Sequence, residues 1–144
     1  MFAPALFYPT KVSLSVPAPE YKYKDIYLYA NGKPQELDGA YAIDPTHPAV
    51  EAMMKKTSSL FHRTGFEYVK MDFMTHGAME ADKWYLPEVT TGIQGYNYGM
   101  QLLDKYFGDM YINLSISPVF PAQYAQSRRI PAMHGIKSRI PNTH

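Results

Sequence analysis

Gly65-Phe66-Glu67-Tyr68-Val69-Lys70-Met71-Asp72-Phe73 is the stretch whose reading decides the fold. A glycine follows a polar, helix-like segment, and β-forming residues then bracket a lysine and an aspartate two positions apart. In a strand the side chains at i and i+2 share a face. Lys70 and Asp72 therefore point the same way at the strand's C-terminal end, where open α/β and barrel folds place their chemistry. The continuation Met74-Thr75-His76-Gly77-Ala78-Met79-Glu80-Ala81-Asp82 reads as a loop of small and acidic residues.

The segments on either side supply helices. Asp44-Pro45-Thr46-His47-Pro48 offers Asp44 or Thr46 as a cap with a proline in the first turn, and His47 falls at the helix start. Val50, Met53, Met54, Leu60 and Phe61 fit a loosely amphipathic helix over 48–63, which Gly65 ends. Beyond the acidic loop, Thr90 or Thr91 opens a second helix to Phe107, with Ile93, Tyr96, Met100, Leu103 and Phe107 spaced 3-4-3-4 along its apolar face. Gly108 ends that helix, and residues 110–116 form the next strand, left through Pro118 and Pro121. Helix, strand, helix, strand with short connections predicts βαβ units and a parallel sheet. Upstream, Phe2–Tyr8, Val12–Val16 and Asp25–Ala30 fit strands, the last ended by the turn signal Asn31-Gly32.

At 144 residues the chain is one domain or a piece of a larger one. With 46% apolar and 19% charged residues it is globular in composition, and a net charge of +1 gives no pull toward nucleic acid or membrane surfaces. The absence of cysteine excludes disulfides and thiolate metal sites. No apolar run is long enough for a membrane span, and Met1 to Pro9 lacks the pattern of a signal peptide, so nothing assigns a compartment. Aromatic residues reach 15%, including 13 tyrosines and one tryptophan, and their flat apolar faces with polar tips suit sugar rings as well as cores.

Phosphate-binding fingerprints, an HExxH pair and a GxSxG elbow are all missing, so no metal or cofactor is expected. A carboxylate on a strand end beside a lysine suits the nucleophile of glycoside hydrolysis, the lysine steering hydroxyls and keeping the aspartate ionised. A salt bridge on an edge strand explains the same spacing.

A series of motifs favours the first. Ala42-Ile43-Asp44-Pro45-Thr46-His47-Pro48, the stretch 65–73, Thr91-Gly92-Ile93-Gln94-Gly95-Tyr96-Asn97, Asn113-Leu114-Ser115 and Tyr124-Ala125-Gln126-Ser127-Arg128-Arg129-Ile130 together resemble the α-galactosidase-type glycoside hydrolases of families 27 and 36, above all the bacterial family-36-like members. The resemblance covers residues 25–130. It implies a (β/α)8 barrel and a retaining, two-aspartate mechanism on α-linked galactosides, with a galactoside or oligosaccharide as the partner and neither nucleic acid nor membrane. Asp72 falls on the family's nucleophile, Lys70 on its sugar-contacting lysine, and Arg129 on the arginine that leads into the acid/base segment. Other sugar contacts, among Ser115, Ser117 and Tyr124, stay open. Two further readings are a non-catalytic carbohydrate-binding or interaction module and an unrelated α/β domain in which Lys70 and Asp72 merely pair.

Two departures set the expectations. A closed barrel takes about 200–250 residues, so residues 1–130 are expected to be an incomplete catalytic segment holding the central βα units of a partial barrel. After Ile130 the family continues with a small residue, cysteine, the acid/base aspartate, alanine and tryptophan. Here the chain reads Pro131-Ala132-Met133-His134-Gly135, and residues 131–144 have no apolar period. Met133 cannot donate a proton, so the chain alone is expected to be inactive; Glu80 and Asp82, in the loop after the nucleophile, are expected to meet solvent or substrate. Read one base out of frame, codons for Pro-Ala-Met-His-Gly can spell Cys-Asp-Ala-Trp, so 131–144 is expected to be a disordered, frameshift-derived tail, a natural divergent tail being the alternative. Sequencing the gene here is expected to find those bases; codons unable to spell Cys-Asp-Ala-Trp in the neighbouring frame exclude a frameshift.

Overall fold

A computed structural model of the chain describes residues 7–9 and 22–129. The expected strand at Val12–Val16 and the segment 131–144, with Met133, lie outside the described residues. The first part is β1 (Phe7–Pro9), a single helical turn α1 (Tyr23–Ile26), a hairpin of β2 (Tyr29–Ala30) and β3 (Lys33–Pro34), then β4 (Glu36–Leu37) and β5 (Ala40–Ala42). β5 lies between β1 and β4, antiparallel to both. The strand expected at Asp25–Ala30 is thus only half present. Asp25 Oδ2 accepts the Lys22 N–H at 2.8 Å and winds the chain into a turn of helix before β2 begins. Asn31 and Gly32, at φ 51° and 73°, make the turn that follows.

α2 (Pro48–Arg63) falls where the spacing predicts it. Its cap differs: His47 Nδ1 accepts the Ala49 N–H at 3.1 Å, while Asp44 and Thr46 bond elsewhere. Gly65 ends the helix at φ 78°, a left-handed turn that a side chain would strain. β6 (Tyr68–Met71) follows, then a 3-10 turn (Met74–Ala78), α3 (Gly92–Phe107), β7 (Tyr111–Leu114) and β8 (Ser127–Arg128). Thr91 and Gln94 close a reciprocal capping box at the start of α3. Along the helix Tyr96, Met100, Leu103 and Phe107 are buried as the spacing predicts, but Ile93 is 48% exposed. The first turn instead seats Gly92 against the Ala78 carbonyl, too close for any β-carbon.

β6, β7 and β8 form a parallel sheet in that order, with Met71 opposite Leu114 and Leu114 opposite Arg128. Its two faces differ in kind. Val69, Met71, Ile112 and Leu114 are buried against Val50 and Met54 of α2 and against Tyr96, Met100, Leu103 and Phe107 of α3. Each such burial is worth about 1.5–3 kcal/mol, so this layer carries most of the stabilisation. Lys105 Nζ and the Tyr106 hydroxyl both bond Glu51 Oε1, at 3.0 and 2.7 Å, and lock α3 to α2. On the opposite face stand Tyr68, Lys70 and Asp72 beside Tyr111, Asn113 and Ser115. Tyr68 and Tyr111 stack with ring centroids 5.6 Å apart, yet remain 51% and 45% exposed. The fold is α/β with a parallel βαβ unit, and the described residues form no closed (β/α)8 barrel. No helix among them is long and apolar enough to cross a membrane.

Candidate active site

Lys70 and Asp72 meet as their two-residue spacing predicts. Lys70 Nζ lies 2.9 Å from Asp72 Oδ2, with 25% of the lysine side chain and 2% of the aspartate side chain exposed. β6 is an edge strand, but a surface salt bridge does not describe a carboxylate so deeply buried. Lysine is the outward member of the pair, so an approaching ligand meets the ammonium first.

Backbone geometry completes the setting. Directly after Asp72, Phe73 takes a left-handed conformation at φ 56°, costly for a bulky residue. Its N–H then donates to Asp72 Oδ1 at 2.9 Å. In the register of Met71 with Leu114, Ser115 stands beside Asp72 and Ile116 beside Phe73, and Ile116 is also left-handed at φ 45°. Both strands thus leave the sheet by the same bend. Thr75 ties the exits together, its N–H and hydroxyl donating to the Ile116 carbonyl at 3.1 and 2.9 Å.

Burial, the strongest single influence, pushes the Asp72 carboxyl up. Hydrogen bonds from Lys70 and the Phe73 N–H, the nearby Ser115 hydroxyl and the Lys70 charge together outweigh it and hold the group below its ordinary 3.8. The buried Ser115 hydroxyl contributes by proximity, without a hydrogen bond of good geometry. Asp72 is therefore a carboxylate at neutral pH, the form a nucleophile requires.

Arg129 follows β8 in register with Ser115, which puts it on the sheet face of Lys70 and Asp72 with an exposed side chain. Its neighbour Arg128 takes the other face and bonds Ser117 Oγ at 3.0 Å and the Pro118 carbonyl. Tyr124 donates to Asn97 Oδ1 at 2.9 Å, a link to α3. The loop acids are exposed to solvent, as expected, and each also takes a backbone partner. Glu80 Oε1 accepts the Gly92 N–H at 3.0 Å, and Asp82 Oδ2 accepts the Asn31 N–H at 2.7 Å. His76 is 1% exposed, with its ring nitrogens 3.0 Å from the Phe73 carbonyl and 2.7 Å from the Leu37 carbonyl. The sequence offered no sign of that bridge, because Leu37 is 39 positions away.

No family model and no curated protein matches the chain. The fold is similar to that of an α-galactosidase from Thermus thermophilus solved in complex with stachyose, at TM-score 0.64 and 21% identity over 90% of this chain. Against the same enzyme with p-nitrophenyl α-D-galactopyranoside the TM-score is 0.56, at 22% identity over 80% of this chain. The chain spans 27% and 22% of those chains' lengths. At this identity the likeness is one of fold.

The ion pair fixes a pH signature. Because the folded Asp72 sits below 3.8, its contribution to stability is present above that pH and is lost as pH falls through the lower folded value. Removing the cation with Lys70→Met should cost about 3 kcal/mol at neutral pH and leave burial with its main opponent gone. That variant should lose less stability than the wild type on acidification, and Asp72→Asn should lack this contribution altogether. Urea denaturation at pH 7 and pH 3 checks the order; equal acid losses in all three proteins would exclude a depressed Asp72.

Proposed function

We propose that this chain carries the nucleophile-bearing segment of a retaining glycoside hydrolase acting on α-linked galactosides. Asp72 is the nucleophile, and Lys70 and Arg129 contact the sugar. The observation that carries the reading is the buried, ionised Asp72, held by Lys70 at the C-terminal end of a parallel strand. The fold likeness to an enzyme solved with stachyose and with p-nitrophenyl α-D-galactopyranoside supports the galactoside as substrate class.

In such a reaction the Asp72 carboxylate attacks the anomeric carbon while the glycosidic C–O bond breaks. A carboxylic acid about 5–5.5 Å away gives its proton to the departing oxygen, then as a carboxylate takes one from the water that releases the sugar. Lys70 donates hydrogen bonds to sugar hydroxyls without giving up its hold on the charge. Met133 stands where the resemblance expects the acid/base, and a thioether carries no proton to give. An unactivated galactoside therefore meets a nucleophile without an acid.

p-Nitrophenolate leaves with little need of protonation, so it separates the two half-reactions. With p-nitrophenyl α-D-galactopyranoside the chain should release nitrophenolate in a burst of at most one equivalent, without steady-state turnover, and Asp72→Asn should abolish the burst. Continuous turnover, or a burst that survives Asp72→Asn, would contradict the assignment.

A further inference from the structure

Away from Asp72, the segment Asp82–Leu86 closes over the N-terminal hairpin and leaves a cleft of about 510 Å3. Tyr27, Tyr29, Trp84 and Tyr85 supply its aromatic walls, with Asp25, Asp44, His47 and Lys83 also lining it. Neither Lys70, Asp72, Ser115 nor Arg129 lines the cleft.

Its walls are held by hydrogen bonds to separate parts of the chain. The Tyr85 N–H donates to the buried Asp44 Oδ2 at 2.6 Å, and the Leu86 N–H to Thr46 Oγ1 at 3.1 Å. The Asp82 N–H donates to the Tyr29 carbonyl at 2.8 Å, tying the segment to the hairpin. Trp84 is 6% exposed and lies against α3 at Gly95, where an added β-carbon would come 2.7 Å from the indole nitrogen. Tyr85 meets the His47 ring edge-on at 4.9 Å. Burial pushes that imidazole below its ordinary value of 6.5, against the charges of Asp44 and Asp25, so the ring is neutral at pH 7.

The cleft therefore exists before any ligand enters, and its chemistry is mixed. Aromatic residues line it; the buried Asp44 carboxylate is already taken up by Thr46 and the Tyr85 N–H, which leaves Asp25 and Lys83 as the exposed charges, opposite in sign. Among the described residues Lys83 makes no ion pair. An anion would face Asp25 and a cation would face Lys83. A neutral polyhydroxylated ring suits both: its apolar face stacks on an aromatic ring, and its hydroxyls give a hydrogen bond to the carboxylate and take one from the ammonium. The volume is that of a small-ligand pocket. We propose that this cleft binds a neutral saccharide unit, at a site separate from Asp72 and independent of bond cleavage.

Trp84 is the chain's one tryptophan, so its emission reports on the cleft directly. Titrating the full chain with stachyose should give a saturable change in that emission. Asp72→Asn should leave the titration unchanged. Tyr85→Ala, a truncation at a residue that is 57% exposed, should weaken it about tenfold. Lys83→Met should weaken it too, with far-ultraviolet circular dichroism confirming that each variant folds. No saturable change in a folded wild type overturns the proposal. So does a response lost in Asp72→Asn but kept in Tyr85→Ala, which would put the sugar at Asp72 instead. Because the nitrophenolate burst depends on Asp72 and this titration does not, failure of one reading is distinguishable from failure of the other.

Discussion

A buried carboxylate has to be compensated where it stands, and the strand end around Asp72 is built to do so. Lys70 is the nearest residue on the chain able to reach the same face with an opposite charge. The left-handed turn at Phe73 adds a backbone N–H to the carboxylate. That turn sends the chain into the 3-10 segment, whose Thr75 bonds the matching bend after β7 and whose His76 reaches the β4 carbonyl of Leu37. One buried charge thus sets the conformation of the loop that follows it and ties that loop to two neighbouring elements.

The same strand divides the molecule. Alternation puts Val69 and Met71 under α2 and α3 and leaves Tyr68, Lys70 and Asp72 on the other side. β7 repeats the pattern with Ile112 and Leu114 inward, and Tyr111, Asn113 and Ser115 opposite. One face is a helix-covered core of the kind parallel sheets require. The other carries polar groups and a half-exposed tyrosine stack, with Asn113 donating to the Tyr68 hydroxyl at 2.7 Å. In a closed barrel that face would be the interior, but the described residues close no barrel.

The parts legible in the sequence are those fixed by local rules. The two-residue spacing of Lys70 and Asp72, the helix start at Thr91, the Asn31-Gly32 turn and the helix-ending Gly65 all act within a few residues, and all appear as expected. What escaped depends on distant partners. His47 displaces Asp44 and Thr46 as the cap of α2 because those side chains are committed to the N–H groups of Tyr85 and Leu86, some 40 residues on. Ile93 leaves the apolar face of α3 because the helix start must press Gly92 against Ala78. Glu80 and Asp82 look like free loop acids until Gly92 and Asn31 are brought beside them. The role proposed for Asp72 rests on the order of motifs along the chain, whereas its burial depends on the fold.

Titration of the Asp72 side-chain carboxyl, followed by its carbon resonance in the isotopically labelled chain, tests the central claim most directly. The account predicts a midpoint below 3.8 that moves upward in Lys70→Met. A midpoint at or above 3.8 in the wild type, or one indifferent to Lys70, would contradict it.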